Sequence, residues 1–294
     1  MSDSSPLHVS VMTDEVVTWL QPQRGQTLVD GTLGGGGHCR ALAQCVGAGG
    51  VVIALDRDPA AVAAAEHNLR GLPVQLVEAN FCDLPEILAA NEIDPVDGVL
   101  LDLGLSSDQL ADGARGFSFD STGQLDLRFN PAAGEPAWRL IQRLSEKHLA
   151  DLIYEHGEER YSRRIARRIV EQRHREPIRT AAELANLVRR CVPRQRGGQR
   201  IDPATRTFQA LRIAVNDELK SLEIALRRLP ECVKPGGRVA VISFHSLEDR
   251  RVKEAFRDDD RYQALTRRPI RPSEEEIARN PRARSAKLRV AQRV

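Results

Sequence analysis

The sequence predicts an α/β protein whose doubly wound, Rossmann-like sheet is interrupted by a helical insertion. In the first third of the chain, nearly continuous apolar stretches alternate with helical patterns. This alternation is typical of βαβ units in a parallel sheet covered on both faces. Several helical patterns then follow without an intervening strand, and a late apolar stretch restores the first pattern. These three observations define the predicted fold.

Local patterns place the elements in chain order. Apolar runs predict strands at residues 27–32, 51–56, 74–79 and 96–103. Between them, the sequence predicts one helix that follows the glycine-rich turn and ends near residue 44, and two more at 59–69 and 84–91. Residues 106–136 are rich in glycine, aspartate and serine, which predicts either a long functional loop or the entry to another domain. Helical periodicity predicts helices at 137–143, 146–155, 160–175, 181–191 and 204–229, before a strand at 237–244. We therefore expect a discontinuous domain of residues 1–107 and 214–294, with an all-helical insertion of residues 108–213.

Composition excludes several protein classes. Of the 294 residues, 41% are hydrophobic and 29% are charged, which fits neither a disordered nor a fibrous protein. The apolar runs fall well below the roughly 18 residues of a membrane span, and no secretory signal is evident, so a cytoplasmic protein is expected. The cysteines are odd in number and lack CxxC pairing, so the sequence indicates neither a disulfide framework nor a zinc site, and no metal ligands are predicted. The five cysteines are Cys39, Cys45, Cys82, Cys191 and Cys232.

Positive charge is concentrated in two regions. Residues 156–201 hold 13 Arg, no Lys and 5 Glu, and residues 261–294 hold 10 Lys or Arg against 3 Glu. Solvated helix faces are the ordinary explanation of such runs. The preference for arginine, which binds phosphates with a planar fork and stacks on bases, favours a nucleic-acid partner.

A glycine-rich turn, DGTLGGGGH, joins the first predicted strand to the first predicted helix. It would expose bare backbone amides at a helix N-terminus, where a ligand can approach closely. The dinucleotide pattern GxGxxG fails, because its sixth position is Cys39 or Arg40, and a P-loop fails because no Gly-Lys-Ser/Thr follows. Gly34, Gly36 and Gly37 are therefore candidates for binding a different ligand.

Acidic side chains flank this turn and indicate which ligand. Asp30 precedes the glycines, where it would repel a pyrophosphate but attract a cationic amino group. Asp56 ends the second predicted strand and can accept hydrogen bonds from both hydroxyls of a ribose. A ligand with a ribose, a positive amino acid part and no phosphate is S-adenosylmethionine. Phe81 then offers an apolar face for the adenine, and Asp83 offers a polar contact at its edge.

The methyl acceptor is expected at the carboxyl end of the fourth predicted strand. No cysteine lies there, although methylation of pyrimidine carbon 5 would need one as nucleophile. An exocyclic amine needs hydrogen-bond acceptors instead, and Asp102, Ser106 and Ser107 can supply them. The Asp/Asn/Ser-Pro-Pro-aromatic tetrapeptide of amino methyltransferases is absent, which leaves the catalytic group open. His245 is a further candidate proton acceptor, although its neighbouring serines could equally cap a helix from Leu247.

Ten motifs, spread over nearly the whole chain, resemble the family of the bacterial ribosomal small subunit methyltransferase H, also called MraW. They are HVSVMTDEVV at 8–17, VDGTLGGGGH at 29–38, ALDRDP at 54–59, DGVLLDLGLSS at 97–107, RGFSF at 115–119, LDLR at 125–128, GEERYSRRIAR at 157–167, PATRTFQALRIAVNDEL at 203–219, SFHSLEDR at 243–250 and NPRARSAKLR at 280–289. Two departures are Gly35, where some relatives carry a larger residue, and a shorter segment before Glu274.

The resemblance implies a class I methyltransferase fold with a helical insertion, and S-adenosylmethionine as cofactor. Its implied activity is N4-methylation of one cytidine in the decoding region of 16S rRNA, within the small ribosomal subunit. The implied cofactor contacts are Gly36, Gly37, His38, Asp56, Phe81, Asp102 and Gln109. Of these, His38 and Gln109 come from the resemblance alone.

The sequence leaves two alternative functions to be tested. A dinucleotide-dependent oxidoreductase is opposed by the broken GxGxxG pattern, whereas a non-catalytic RNA-binding factor would retain the same fold. The proton acceptor, a possible homodimer, and the choice between naked RNA and the assembled subunit as substrate stay open at this level.

Overall fold

The structure of the protein is a computed structural model that describes residues 10–193 and 202–294. Its residues cluster into two compact units, Met1–Ser106 with Leu219–Val294, and Ser107–Glu218. The predicted domain boundaries were 107/108 and 213/214, so the second boundary lies five residues later in the structure. No helix among the described residues is long and apolar enough to cross a membrane.

The first unit contains a seven-stranded sheet. Its strands are β1 Thr27–Asp30, β2 Val51–Asp56, β3 Val74–Glu78, β4 Val96–Asp102, β5 Val233–Ser243, β6 Tyr262–Ala264 and β7 Lys287–Arg293. They lie in the order β3-β2-β1-β4-β5-β7-β6. Strands β1 to β5 pair in parallel, and β7 pairs antiparallel with both β5 and β6. The predicted doubly wound sheet is confirmed.

Thirteen helices occur among the described residues. They are α1 Thr13–Leu20, α2 Gly37–Val46, α3 Pro59–Asn68, α4 Leu84–Ala90, α5 Ser107–Ala111, α6 Ala137–Arg143, α7 Glu146–Gly157, α8 Ser162–Arg175, α9 Ala181–Cys191, α10 Thr205–Asn216, α11 Glu218–Cys232, α12 Ser246–Asp258 and α13 Glu274–Arg279. Helices α5 to α10 belong to the second unit. The only β pairing among the described residues of that unit is an isolated bridge between Gln124 and Thr180.

Alternating side chains of the central strands bury both faces of the sheet. Leu28 and Leu100 pack in a cluster with apolar side chains of α1 and α2, whereas Val29 and Leu101 pack in a second cluster with those of α4, α11 and α12. Each of these four side chains is at most 1% exposed. Burial on both faces explains why the strands are continuously apolar in the sequence.

The order of the strands creates a crevice at their carboxyl ends. Strand β1 pairs with β2 on one side and β4 on the other, so the chain leaves β1 at the point where the order reverses. Ligands of open α/β sheets bind outside the carboxyl ends of strands at such a switch point. Asp30, Asp56 and Asp102 are the last residues of β1, β2 and β4.

Two predicted elements were wrong. The single helix predicted at 204–229 is two helices, because Asp217 adopts a left-handed conformation with φ of 51° between α10 and α11. The last strand of the parallel set begins at Val233 rather than at 237. Its pairing with β4 shifts between Val96 and Gly98, so the predicted turn at 234–237 is an irregular part of the strand.

Candidate cofactor-binding site

The glycine loop forms a close turn between β1 and α2. Gly36 is the N-cap of α2 with φ of 79°, a conformation that L side chains rarely adopt, and no side chain caps the helix. A Cβ on Gly31 would lie 2.5 Å from Cδ2 of Leu101 and 3.0 Å from Cβ of Phe81. Glycine is therefore needed both for the backbone of the turn and for its close approach to β4, and the amides of α2 are left without a side-chain cap.

Asp56 is held in a fixed orientation by the backbone. Its Oδ2 accepts a hydrogen bond from the amide of Gly34 at 2.8 Å, and its Oδ1 accepts one from the amide of Asp58 at 2.9 Å. Burial raises the pKa of Asp56, although these amides oppose the rise. A carboxylate has about four acceptor positions, so Asp56 can still accept a hydrogen bond from a ribose beside these backbone amides.

Asp30 is a fully buried carboxyl group with one unsatisfied oxygen. Its Oδ1 accepts a hydrogen bond from the amide of Thr32 at 3.1 Å, whereas its Oδ2 has no hydrogen-bond partner in the described part of the chain. Burial raises the pKa of Asp30 to about 6, even though nearby His38 lowers it. An unpaired buried acceptor of this kind destabilises the protein unless a ligand satisfies it.

His38 and Asp102 complete a buried polar cluster with Asp30. Nε2 of His38 lies 3.3 Å from Oδ2 of Asp102, and His38 is 5% exposed. Burial alone would lower the pKa of His38, but Asp102 and Asp30 outweigh it, and the pKa is raised. The hydroxyl of Thr32 accepts the amide of Asp102 at 2.6 Å, which fastens the end of β4 to the glycine loop.

The atoms of this cluster fit the amino acid part of S-adenosylmethionine. Oδ2 of Asp30 and Oδ1 of Asp102 accept no hydrogen bond, and neither ring nitrogen of His38 has a well-aligned partner among the described residues. Such atoms need polar ligand groups, and an ammonium group matches the carboxylates. The predicted role of Asp30 toward the amino group is therefore chemically consistent with the structure, and Asp102, which was predicted as a cofactor contact and as an acceptor for the amine, lies in the same cluster.

Phe81 lies beside the turn, where the adenine was expected. It begins a 3₁₀ turn, Phe81–Asp83, whose start is capped by Asn80. Nδ2 of the Asn80 side chain also donates a hydrogen bond to Oγ of Ser221 on α11 at 3.1 Å, which fixes the start of the 3₁₀ turn to this helix. Asp83 accepts a hydrogen bond from Sγ of Cys82.

His245 has a structural role that the sequence analysis assigned to serines. It is the N-cap of α12: its Nδ1 accepts the amide of Glu248 at 3.4 Å, and its Nε2 lies 3.1 Å from Oε1 of Glu248. Nδ1 of His245 is therefore engaged in the cap, and this geometry does not favour the predicted catalytic role of His245.

The predicted site residues other than the loop glycines, Phe81 and His245 occupy the following positions. Asp30, His38 and Asp102 share one buried cluster, and Asp56 joins it through the amide of Gly34. Ser106 follows β4, after Gly104, whose φ is 100°. Gln109 is buried in α5, which is the first helix of the other unit. The inward orientation of His38 at the start of α2 has no signal in the sequence beyond its place after the glycines.

Comparison with known proteins identifies the family. The family model described as the MraW methylase family matches residues 5–294. The chain belongs to the MraW methylase family. A relative from Rhodopirellula baltica is 53% identical over 98% of this chain and 91% of its own length, and one from Synechococcus elongatus is 50% identical over 99% and 96%. Both are named ribosomal RNA small subunit methyltransferase H.

The solved structures that the chain matches are more distant in sequence. A methyltransferase homolog protein from Pyrococcus horikoshii is 15% identical with a TM-score of 0.48, and the alignment covers 100% of this methylase and 72% of that chain. An rRNA methylase from Streptococcus thermophilus is 11% identical with a TM-score of 0.45, covering 96% and 93%.

Family membership and the sheet together confirm a class I methyltransferase with S-adenosylmethionine as cofactor. When bound, this cofactor supplies an electrophilic methyl group on a sulfonium. We assign the ribose to Asp56, the amino acid part to Asp30 and the uncapped start of α2, and the adenine to Phe81. These assignments remain predictions of the sequence that the geometry supports.

Replacing Asp30 by asparagine is predicted to stabilise the ligand-free protein and weaken cofactor binding. The folded pKa near 6 exceeds the usual 3.8. Between pH 3.8 and about 6, the folded protein therefore keeps a proton on Asp30 that the unfolded chain has released. The free energy of unfolding falls as the pH rises through this range. Removing the charge should raise the free energy of unfolding by about 3 kcal/mol at pH 8 and about half as much at pH 5.

Denaturant unfolding of Asp30→Asn at both pH values measures this effect, and calorimetry measures the cofactor affinity. Asp94→Asn, at an exposed position, serves as the control and should change neither quantity. A variant that is less stable than the parent at pH 8 would contradict the assignment of Asp30 as a strained, ligand-seeking carboxylate.

Loss of the carboxylate of Asp56 or Asp102 is predicted to abolish measurable cofactor binding. Charge-assisted hydrogen bonds contribute about 1.5–3 kcal/mol each, so removing two should weaken binding at least about 100-fold. Calorimetry on Asp56→Ala and Asp102→Ala tests this expectation, with Asp94→Ala as the control. Unchanged affinity in both variants would overturn the site.

Proposed function

We propose that the protein transfers the methyl group of S-adenosylmethionine to the exocyclic N4 amine of one cytidine in the decoding region of 16S rRNA. The reaction would take place in the cytoplasm, on the RNA of the small ribosomal subunit. The names of the relatives support the ribosomal RNA substrate. The buried cluster formed by Asp30 at the end of β1, His38 in α2 and Asp102 at the end of β4 is the observation that carries the proposed chemistry. Homodimer formation remains a prediction.

The state of the cysteines favours an amine over a ring carbon as acceptor. Methylation of pyrimidine carbon 5 requires a thiolate nucleophile. Burial raises the pKa of Cys82, the cysteine nearest in sequence to the end of β3, to about 11, and burial also raises the pKa of Cys39 in α2. Both groups are therefore thiols at neutral pH and are poor nucleophiles.

Asp102 is the group best placed to accept a hydrogen bond from the amine of the cytosine. Its Oδ1 has no partner in the described part of the chain, while its Oδ2 faces His38. An acceptor at this point would hold an N–H of the cytosine amine and turn the nitrogen lone pair toward the methyl group. Ser106 would offer a second acceptor from the loop that follows β4. His245 is the weaker candidate because it caps α12.

The helical unit presents cations that do not serve its own stability. Arg163 and Arg164 lie in the first turn of α8, which contains no acidic residue. Cations at a helix N-terminus are unfavourable by about 0.3–1 kcal/mol each, because the helix dipole is positive there. Both side chains are exposed and form no ion pair with the described residues. A polyanionic partner explains their presence, so we assign this surface to RNA.

Methyl transfer with nucleoside mapping tests the proposed reaction. Isolated small subunits lacking the modification should acquire one labelled methyl group, found by mass spectrometry as N4-methylated cytidine. Naked 16S rRNA in parallel reactions shows which form is the substrate. Tight RNA binding without transfer would favour a non-catalytic RNA-binding factor, and a methyl group on any other base would refute the cytidine assignment.

The double variant Arg163→Ala with Arg164→Ala is predicted to weaken RNA binding and its salt dependence. Each lost phosphate contact should lower the slope of log K against log[salt] by about 0.7–0.9. The matched control is Arg167→Ala with Arg168→Ala on the same helix, because Glu146 lies 3.7 Å from Arg167 and Glu171 lies 2.6 Å from Arg168. Equal slopes in both double variants would place the RNA elsewhere.

A further inference from the structure

The C-terminal segment 274–285, which comprises α13 and the 3₁₀ turn Pro281–Ser285, contacts both sides of the cofactor site. Oε1 of Glu276 accepts the amide of Met12 at 2.6 Å. The residue two before Met12, Ser10, lies so close to Gly37 that a side chain there would collide with its hydroxyl. One end of the segment is thereby fastened next to the glycine loop.

The other end of the segment reaches the loop that follows β4. Nη2 of Arg282 donates to the carbonyl of Ser106 at 3.2 Å and to that of Leu105 at 3.4 Å. The loop leaves the sheet after Leu103, whose amide still donates to the carbonyl of Ile242 at 3.0 Å. Gly104 then turns the chain with φ of 100°. Arg282 thus binds the loop just beyond this hydrogen bond to the sheet.

Arg282 is itself held in place by a packed backbone. Oδ1 of Asn280 accepts the amide of Arg282 at 3.3 Å, and Asn280 is buried. The next residue, Ala283, is completely buried. A guanidinium on a fixed backbone can hold two carbonyls in one orientation, because its planar fork presents several N–H donors at set angles.

The same segment carries cations directed to solvent. Arg279 and Arg284 flank Arg282, are exposed and form no ion pair with the described residues. Under the proposed function, RNA phosphates would bind such groups. Phosphate contact would therefore occur within two or three residues of the side chain that holds the carbonyl of Ser106.

We propose that Arg282 is a positioning residue for methyl transfer, which sets the acceptor loop at Leu105 and Ser106 and links it to RNA bound at Arg279 and Arg284. This inference rests on the proposed function, since it assigns a role within that reaction. Arg282 acts through the loop and does not touch the reacting atoms. A misplacement of about 1 Å can lower a rate about 100-fold, so the effect should appear in kcat.

The test compares Arg282→Ala, Arg282→Lys and Arg284→Ala in steady-state methyl transfer to small subunits, with cofactor affinity measured by calorimetry. We expect Arg282→Ala to lower kcat about 10- to 100-fold while the cofactor Kd changes less than about threefold. Arg282→Lys should recover part of the loss, because an ammonium can still donate to one or both carbonyls. Arg284→Ala, the matched loss of one exposed cation, should raise KM and leave kcat unchanged.

Three results would overturn the inference: a kcat of Arg282→Ala equal to that of the parent, equal losses in Arg282→Ala and Arg284→Ala, or a fall of kcat that follows a matching loss of cofactor affinity. Thermal unfolding of each variant shows whether the fold is retained, and Arg282→Lys provides the readout if Arg282→Ala is unfolded. If the parent protein transfers no methyl group to cytidine, the proposed function fails, whereas the outcomes above concern Arg282 alone.

Discussion

The burial of charge at the end of β1 is the constraint on which the site depends. Asp30 is fully enclosed, keeps one oxygen without a partner and has a pKa raised to about 6. His38 lowers the pKa of Asp30, whereas the nearby charge of Asp102 raises it further, and neither residue satisfies that oxygen. A folded protein retains such a group at the expense of stability, which is usual for sites organised around a ligand. The glycines of the turn serve the same end, because they bring uncapped amides next to this charge.

Much of the α/β unit could be predicted from the sequence, since strands buried on both faces are continuously apolar and the helices between them are short. The strand at 51–56 and the helices at 137–143 and 181–191 match the structure at both ends. The positions of Asp30 and Asp56 at one edge of the sheet could be predicted because the carboxyl ends of parallel strands meet there.

The errors have local physical causes. The apolar periodicity continues across Asp217, so the break between α10 and α11 is invisible in the pattern, although aspartate tolerates the left-handed conformation better than most residues. His245 was missed as a cap because histidine is not a preferred N-cap residue. The direction of His38 depends on packing across distant parts of the chain, and periodicity does not encode it. Arg282 reaches back about 176 residues in sequence, which no local pattern can reveal.

The position of β7 affects how the protein is made. This strand consists of residues 287–293 and follows every other strand in sequence, yet it lies between β5 and β6 rather than at an edge. During synthesis, N-terminal elements can associate first, but β6 has no partner in the sheet until β7 has left the ribosome. Folding of this unit is therefore completed only after β7 has been made. A truncation before Lys287 would expose β5 and detach β6, leaving an unpaired edge prone to aggregation.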